Sequence, residues 1–421
     1  MSTLTEANYP VTFRTEDTKI LGDHLRHTNS VNVIGMKRVG INHFLRFFFF
    51  NPEIQKQFLD ASKKNFFVHI DLNDLVEREV YPFWTLTLKR MVDVIDMTTS
   101  DMNLKKQSKK LFVESIQLKD LFVTVDSVRK IASLLVESEY YPILVFNRFD
   151  RMRECATPEF FGNLQSLKDH AQRNLSFIFT SYRPLWELKP DVFTKQALSV
   201  FCQDMYLKPT KPEDSKTILQ SLEGRYRVTL TDNVREILLH LSGGHAQYLH
   251  LSMIKLRDLP TIPEEKEKLL ELLQNNEEAN LLSEELFESL TKKEQEVLLS
   301  GTTQNGEAAY LKATGMITAE GGVFSPLFGA YLEKRGMSKQ NGGEFTKKEH
   351  LLFTYLKAHE GDLCEREAII EAVWPDYAES GVSDWAIDRL VARVRVKLKN
   401  QNSPYEITTV ITRGYKMVTK S

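Results

Sequence analysis

The stretch SDWAIDRLVARVRVKLKNQNSPYEITTVITRGYKMV, residues 383–418, decides the fold of the C-terminal end of the chain. From about Ser383 to Lys399, apolar residues recur at helical spacing, which predicts one long helix. Tyr405–Val410 and Gly414–Val418 are predicted as two strands joined by a short turn. This segment therefore predicts a helix followed directly by a two-stranded hairpin.

Two further helices are predicted upstream of this segment. Phe345–His359 opens with Thr346 and has Glu349 three residues later, which is the spacing of a capping box. An apolar stripe follows on the same helix, formed by Leu351, Leu352, Tyr355 and Leu356. A second helix is predicted from about Glu365 to Val373. Three helices followed by a hairpin form the winged-helix plan.

The predicted third helix has two distinct faces when its residues are placed about 100° apart. One side should face the core and carries Ile387, Leu390, Val391, Val394 and Leu398. The opposite side carries Trp385, Arg389, Ala392, Arg393 and Val396, with Arg395 and Lys397 on the flanks. Arginine can bind guanine through two hydrogen bonds in the major groove, and flanking basic residues can contact phosphates. We therefore expect double-stranded DNA as a partner, bound by Trp385, Arg389, Ala392, Arg393, Arg395, Lys397, Arg413 and Lys416.

Charge is distributed unevenly along a chain whose total charge is close to zero. The 421 residues carry a net charge of −2, and 42% hydrophobic with 27% charged residues is ordinary for a globular protein. Between Arg389 and Lys420, eight Lys or Arg face one acid, whereas nine Glu face two Lys between Pro263 and Glu288. Solvated helix faces would explain both runs, but the first run coincides with the outward arginines of the third helix.

The expected location is the cytoplasm, without a membrane partner. Three widely separated cysteines form no pair typical of an oxidising compartment, and the N-terminus has no signal-peptide pattern. The most apolar stretch, Phe44–Phe50, is far shorter than the roughly 20 residues that span a bilayer. It is predicted to be a buried helix.

The C-terminal segment resembles the output domain of OmpR/PhoB-type response regulators. The resemblance rests on Thr346 with Glu349, Val373–Trp374, Lys397–Leu398 and Gly414–Tyr415. It implies that the third helix enters the major groove and that the hairpin wing contacts the adjacent minor groove. The usual Arg–Gly wing tip is replaced by Ile411–Thr412, with Arg413 one position later. A winged helix used for protein contacts is the alternative interpretation.

The N-terminal half alternates short apolar runs with helical patterns. The predicted strands are Val31–Ile34, Phe66–Asp71, Ile143–Phe146 and Ser176–Thr180. Nearly continuous apolar runs are typical of strands that are covered on both faces. The pattern predicts an α/β fold with a parallel sheet and crossover helices.

The first predicted strand runs into the loop GMKRVG, which has the glycine spacing of a phosphate-binding loop. Gly35 and Gly40 match the motif, but Ile41 stands at the lysine position and Asn42 at the hydroxyl position. The lysine would contact the β- and γ-phosphates and the hydroxyl would bind Mg²⁺. Each missing charge-assisted contact costs about 1.5–3 kcal/mol, so nucleotide affinity should fall strongly.

A second motif of nucleotide hydrolysis is altered in the same direction. YYPILVFNRFDRM lies where a Walker B strand is expected, but the two acidic positions hold Asn147 and Arg148, and Asp150 follows two residues later. The chain is therefore predicted to be a pseudo-ATPase with no catalytic residue, no metal site and no required cofactor. Backbone N–H groups at a helix start can bind phosphate alone, so ATP or ADP binding is the alternative. The degenerate nucleotide site comprises Gly35, Lys37, Arg38, Gly40, Ile41, Asn42, Asn147 and Arg148.

Residues from about 8 to 336 are similar to the STAND/AAA ATPases, especially to their Orc/Cdc6-like and MalT-like members. The similarity rests on Arg38 within GMKRVG, on FIFTSYRPLWEL at 177–188 and on LSGGHAQYLHL at 241–251. In the last motif Ala246 and Gln247 replace the usual proline before Tyr248. Residues 286–335 resemble the small winged helix that often follows this ATPase.

Four domains are predicted, together with a polar linker at 337–344. They are a degenerate P-loop domain at 1–207, a helical lid at 208–280, a small winged-helix-like unit at 281–336 and the winged helix-turn-helix domain at 345–421. Helices of the middle region are predicted at Lys211–Leu222, Asp232–Leu256, Glu264–Leu273 and Ser283–Leu299.

These features predict a bacterial DNA-binding regulator of transcription rather than an enzyme. Its ATPase-like module would bind a protein partner or form a homo-oligomer. One alternative is a nucleotide-sensing switch of the STAND type. Another is a scaffold that binds DNA and protein in a bacterial defence or mobile-element system.

Overall fold

A computed structural model of the chain describes residues 5–190, 201–301, 308–338, 345, 347–374, 384–401, 403–410 and 413–419. The chain divides into two compact units, Met1–Ala330 and Tyr331–Ser421, and each is described by itself. The finer boundaries predicted within the first unit remain predictions. Most of the predicted linker, residues 339–344, lies outside the described residues.

The first unit contains a parallel sheet of five strands in the order β2-β3-β4-β1-β5. The strands are β1 (Val31–Ile34), β2 (Lys64–Asp71), β3 (Tyr140–Asn147), β4 (Ser176–Ser181) and β5 (Gln203–Tyr206). The predicted α/β class and all four predicted strands are confirmed. Strand β5 was not predicted, because this edge strand has only four residues and its first two are exposed and polar.

Seven helices accompany the first four strands among the described residues. They are α1 (Thr15–Arg26), α2 (Ile41–Phe50), α3 (Pro52–Phe58), α4 (Val80–Thr98), α5 (Met102–Leu118), α6 (Leu121–Glu137) and α7 (Pro158–His170). In α2, Phe44, Phe47, Phe48 and Phe49 are buried, as the prediction of a buried helix requires. None of the helices in the described ranges is long and apolar enough to cross a membrane.

The region after the sheet is mainly helical. It comprises α8 (Pro212–Tyr226), α9 (Asp232–Ser242), α10 (Ala246–Arg257), α11 (Lys266–Gln274), α12 (Glu277–Glu288), α13 (Lys292–Ser300), α14 (Ala309–Ala313) and α15 (Pro326–Ser338). An isolated antiparallel bridge joins Ile317 and Val323 between α14 and α15.

The prediction of two continuous helices in this region is wrong. Asp232–Leu256 is broken at Gly243 and Gly244, whose φ angles are 56° and 77°. A Cβ atom would lie 1.9 Å from the Phe324 carbonyl oxygen at the first glycine and 2.1 Å from that of Thr210 at the second. Close backbone approach therefore decides this break.

The break within Ser283–Leu299 has a different cause. Helix α12 ends at Glu288, and α13 begins after Thr291, whose side chain forms a capping box with Glu294. A capping box satisfies backbone groups that a helix start leaves without partners, so it stabilises a new helix at this point.

The second unit has the predicted winged-helix arrangement. It contains α16 (Lys347–Ala358), β6 (Cys364–Glu365), α17 (Arg366–Val373), α18 (Asp384–Asn400), β7 (Tyr405–Val410) and β8 (Gly414–Thr419). The three strands form an antiparallel sheet in the order β6-β8-β7. The side chains predicted to face the core from the third helix are all buried, namely Ile387, Leu390, Val391, Val394 and Leu398. The two-residue strand β6 was not predicted.

Candidate functional sites

The loop between β1 and α2 has the predicted strand–loop–helix geometry. Gly40 precedes the first residue of α2 with a φ of 109°, which is a conformation that favours glycine. A Cβ atom at Gly35 would lie 2.8 Å from Val39 and 3.0 Å from the Leu207 carbonyl oxygen. Both glycines of the motif are thus needed for the path of the backbone.

A cavity of about 320 Å³ lies over this loop, at the carboxyl ends of the strands. This volume is at the lower end of the roughly 300–1,000 Å³ of small-molecule sites. Of the residues predicted for the degenerate nucleotide site, the cavity brings together Arg38, Gly40, Ile41, Asn42, Asn147 and Arg148. Gly35 and Lys37 do not line it. Its other wall is formed by α8 and α10, with Ile218, Leu222, Arg225, Ala246, Gln247 and His250.

The two cations of the loop are paired with a carboxylate from α12. The Nε atom of Arg38 lies 2.7 Å from one oxygen of Glu285, and the Nζ atom of Lys37 lies 3.5 Å from the other. The side chain of Glu285 is only 11% exposed. A protein carboxylate therefore offsets part of the positive charge that could otherwise attract phosphate.

A buried histidine also forms a hydrogen bond with the backbone of this loop. His245 precedes α10, is fully buried, and its Nε2 atom lies 2.9 Å from the Lys37 carbonyl oxygen. Burial lowers the pKa of His245 to about 4, because desolvation disfavours the charged ring. The ring is therefore neutral near pH 7, and its Nε2–H group donates to the carbonyl.

The polar side chains at the end of β3 are bonded within the protein. Arg148 forms an ion pair with Asp71, with 2.6 Å between Nη1 and Oδ1, and its backbone N–H donates to the Thr180 hydroxyl. That hydroxyl donates to the Asn147 side-chain oxygen at 2.7 Å. Burial opposes ionisation of Asp71, but the hydrogen bond from Arg148 lowers its pKa overall.

Asp150, the carboxylate left over from the second motif, has a backbone partner. Its Oδ1 atom accepts a hydrogen bond from the Tyr182 N–H group at 3.1 Å, and burial raises the pKa of its carboxyl group. Asp150 thus fixes the segment after β4. The described residues contain no cluster of side chains that could bind a metal ion.

A second ion pair joins the end of β4 to α13. The two terminal nitrogens of Arg183 lie 2.8 and 2.6 Å from the two oxygens of Glu294. The Tyr310 ring lies against the guanidinium group, with 3.7 Å to its centre, and the Tyr310 hydroxyl donates to the Tyr182 carbonyl at 2.6 Å. The roles of Arg183, Glu285 and Glu294 were not predicted from the sequence. The available signals were the FIFTSYRPLWEL motif for Arg183, the acidic run at 263–288 for Glu285 and the capping-box spacing from Thr291 for Glu294.

In the second unit, three predicted DNA-binding side chains of α18 have partners within the domain. Glu349, which is 2% exposed, pairs with Arg393 at 3.4 Å and with Lys397 at 2.7 Å. Arg395 donates to the Ile407 carbonyl at 2.7 Å and to the Thr409 hydroxyl at 2.8 Å. These contacts connect α18 to α16 and to β7.

The remaining predicted DNA-binding residues differ in their exposure. Arg389, Ala392 and Lys416 are half-buried, whereas Arg413 is 63% exposed and lies 3.6 Å from the exposed Glu365. The exposed Lys399 follows on α18. The side chain of Trp385 and the wing-tip residues 411–412 lie outside the described residues.

Comparisons with known proteins agree with this division of the chain. Residues 340–417 match the family described as "Transcriptional regulatory protein, C terminal". No curated protein matches the sequence.

Solved structures of low similarity align with the chain. A Walker-type ATPase of Pyrococcus abyssi has 16% identity and a TM-score of 0.47, with 78% of this chain and 100% of that chain covered. The Aeropyrum pernix ORC2 protein in its ADPNP–ADP complexes has 12% identity and a TM-score of 0.46, with 94% and 99% covered. The Aeropyrum pernix ORC1 protein in complex with DNA has 10% identity and a TM-score of 0.42, with 99% and 91% covered. The chain thus combines a five-stranded parallel sheet in its first unit with a C-terminal segment, residues 340–417, that matches the C-terminal family of transcriptional regulatory proteins.

Proposed function

We propose that the protein is a DNA-binding regulator of transcription whose ATPase-like module binds a partner or oligomerises without hydrolysing nucleotide. The observation that carries this proposal is the family match at residues 340–417, which coincides with three helices and a hairpin around one core. The outward positions of α18 and of the hairpin supply the basic residues that DNA binding requires.

The state of the degenerate nucleotide site supports an inactive module. Ile41 and Asn42 cannot replace the lysine and the hydroxyl, and Asn147 and Arg148 replace the acids that would bind Mg²⁺ and orient water. The two cations of the loop, Lys37 and Arg38, already pair with Glu285. The module therefore has an internal substitute for the anion that normally stabilises such a loop.

Three basic residues of α18 contribute to the stability of the domain itself. Arg393, Arg395 and Lys397 stabilise the domain through partners on other elements. We assign base contacts to Arg389, because helical spacing places it with Ala392 on the side of α18 opposite the core-facing residues. We assign phosphate or minor-groove contacts to Lys399, Arg413 and Lys416.

Selection of bound fragments from random double-stranded DNA, using the full-length protein at two salt concentrations, tests this assignment. We expect a defined motif, and a loss of about 1–3 kcal/mol of binding free energy for Arg389→Ala. The control is Lys64→Ala, which removes an exposed positive charge from the first unit and should leave binding unchanged. Absence of sequence enrichment, or unchanged binding by Arg389→Ala, would contradict the proposal. Sequence-independent binding with a steep salt dependence would favour the scaffold.

A nucleotide-sensing switch is the second candidate function, because the cavity over the start of α2 is retained. Calorimetric titration with Mg²⁺–ATP and a phosphate-release assay distinguish the two. An inactive module gives no phosphate release, and its oligomeric state is the same with and without nucleotide. Micromolar binding with a nucleotide-dependent change in mass would support the switch.

A further inference from the structure

Exposed apolar side chains are concentrated in one part of the first unit. Of the thirteen exposed large hydrophobic residues among the described positions, seven lie between Met97 and Phe122. Five of these seven residues lie on either side of the turn from α5 to α6, between positions 113 and 122. These five form the α5–α6 corner, and their exposed fractions are 49% for Val113, 39% for Ile116, 64% for Leu118, 41% for Leu121 and 72% for Phe122. Clustered exposure of this kind is typical of a surface that binds another molecule.

The corner is held in one conformation. Behind it, the hydroxyls of Ser115 and Thr124 form a buried hydrogen bond of 2.6 Å between the two helices. Asp120 caps α6 by accepting from the Val123 N–H group at 2.9 Å. An ordered surface loses little conformational entropy on binding, so the corner is suited to docking.

Five lysines lie on α5 and in the turn that follows it. Residues 102–122 contain five lysines against Glu114 and Asp120. Lys105 and Lys109 pair with Asp96, and Lys110 pairs with Glu114. Lys106 and Lys119 are exposed and form no ion pair with any residue in the described ranges. The matching surface should therefore be both apolar and acidic.

The same chain carries a surface of that kind on α11. Residues 262–278 contain six Glu against two Lys. The exposed carboxylates on and just before this helix, here called the acidic α11 face, are Glu264, Glu267 and Glu271, whereas the exposed Glu265 pairs with Lys268 at 2.9 Å. Leu270 and Leu272 on this helix are only half-buried, so apolar surface accompanies the acidic charge.

We propose that the α5–α6 corner of one copy docks on the acidic α11 face of a second copy. The two surfaces differ, so the contact is head-to-tail rather than symmetric. The charges of the two surfaces are opposite, which favours encounter and correct orientation. A second copy is the occupant that the structure supports, because both complementary surfaces belong to this chain. The proposal does not depend on DNA binding.

Two variants, each altered on one surface, test a head-to-tail contact in the absence of DNA. The corner variant is Leu118→Asp with Phe122→Asp, and the face variant is Glu264→Lys with Glu267→Lys and Glu271→Lys. Sedimentation velocity of the full chain should show association of the wild-type protein at about 10–100 μM, a range typical of weak interfaces. Each variant alone should be monomeric. An equimolar mixture of the two should form dimers and nothing larger, because one intact corner and one intact face remain.

Matched controls separate this effect from unfolding. Val76→Asp alters another exposed apolar residue, which is 98% exposed, and Glu53→Lys reverses another exposed acid. Both controls should associate like the wild-type protein, and all variants should keep the wild-type circular dichroism spectrum. Association should weaken at high salt, which screens exposed charges.

Three results would overturn the proposal. One is a wild-type protein that stays monomeric throughout this concentration range. Another is a mixture of the two variants that stays monomeric while the wild-type protein associates, since this would indicate a symmetric contact. The third is a face variant that associates as the wild-type protein does.

Discussion

The loop before α2 and the C-terminal half of α18 both carry cations that could bind a polyanion. The two regions differ in how many of these cations pair with a carboxylate of the protein. In the loop, Glu285 pairs with both neighbouring cations, Lys37 and Arg38. In α18, Glu349 pairs with Arg393 and Lys397 on one side of the helix, while Lys399 beyond them stays exposed. We therefore expect an anion to be bound by Lys399 rather than by the four cations that pair with Glu285 and Glu349.

The largest effect on the free energy of unfolding is expected at a buried ion pair. Glu294→Ala removes the partner of Arg183, and the two side chains are 8% and 17% exposed. Breaking a buried pair costs about 3–5 kcal/mol, because the remaining charge is left without compensation. The free energy of unfolding in urea measures this change.

An exposed ion pair provides the matched control for this prediction. Glu139→Ala removes the partner of Lys64, where the side chains are 81% and 60% exposed. It should change stability by less than about 1 kcal/mol. If Glu294→Ala changed stability by a similar amount, the link between β4 and α13 would be of minor importance.

Removal of the Glu349 carboxylate, which pairs with two cations of α18, should have the next largest effect on the free energy of unfolding. Glu349→Gln leaves Arg393 and Lys397 without their buried counter-charge. We expect a loss of about 1.5–3 kcal/mol, which is typical of hydrogen bonds to charged groups. Chemical unfolding monitored by circular dichroism measures it. Glu406→Gln, on the exposed side of β7, serves as the control and should have wild-type stability.

The buried histidine of the first unit should make stability depend on pH. His245 has a pKa of about 4 in the folded protein, below its ordinary value of 6.5. Between these values the unfolded chain binds the proton and the folded protein does not, so stability decreases as the pH falls below 6.5. At about 1.4 kcal/mol per pH unit, this group accounts for a loss of about 2 kcal/mol by pH 5.

His245→Gln removes this titration but keeps a donor for the Lys37 carbonyl. The difference in unfolding free energy between the variant and the wild-type protein should therefore change between pH 7 and pH 5. His69, which burial also brings to a pKa of about 4, titrates in both proteins and cancels from the comparison. A constant difference would show that His245 does not contribute to acid sensitivity.

The smallest effect on stability is expected at the loop between β1 and α2, which has the glycine spacing of a phosphate-binding loop. Glu285→Gln should cost only about 1 kcal/mol, because the Arg38 side chain is 45% exposed and exposed ion pairs contribute little. The same change should free the loop cations and create affinity for inorganic tripolyphosphate, measured by calorimetry. Glu271→Gln on α11 is the control. Equal tripolyphosphate binding by both variants would contradict an internal substitute for phosphate at Glu285.

The sequence by itself determined the elements whose signals are local. The four buried strands, the core stripe of α18 and the two glycines of the loop follow from the spacing of residues within each segment. The sequence also predicts a loss of nucleotide chemistry, because Ile41, Asn42, Asn147 and Arg148 stand at positions fixed by short motifs, and this stays a prediction. Periodicity and motif spacing depend on neighbours in the chain, so they are visible without a fold.

The tertiary structure decided which polar groups meet and where some elements end. Glu285 lies 247 positions from Arg38, and Glu294 lies 111 positions from Arg183. The break at Gly243 and Gly244 depends on the approach of Phe324 and Thr210, and β5 is a strand because β1 supplies its hydrogen-bonding partner. Such contacts join segments that are distant in the chain, and no local pattern specifies which distant carboxylate or backbone will be placed beside a given residue.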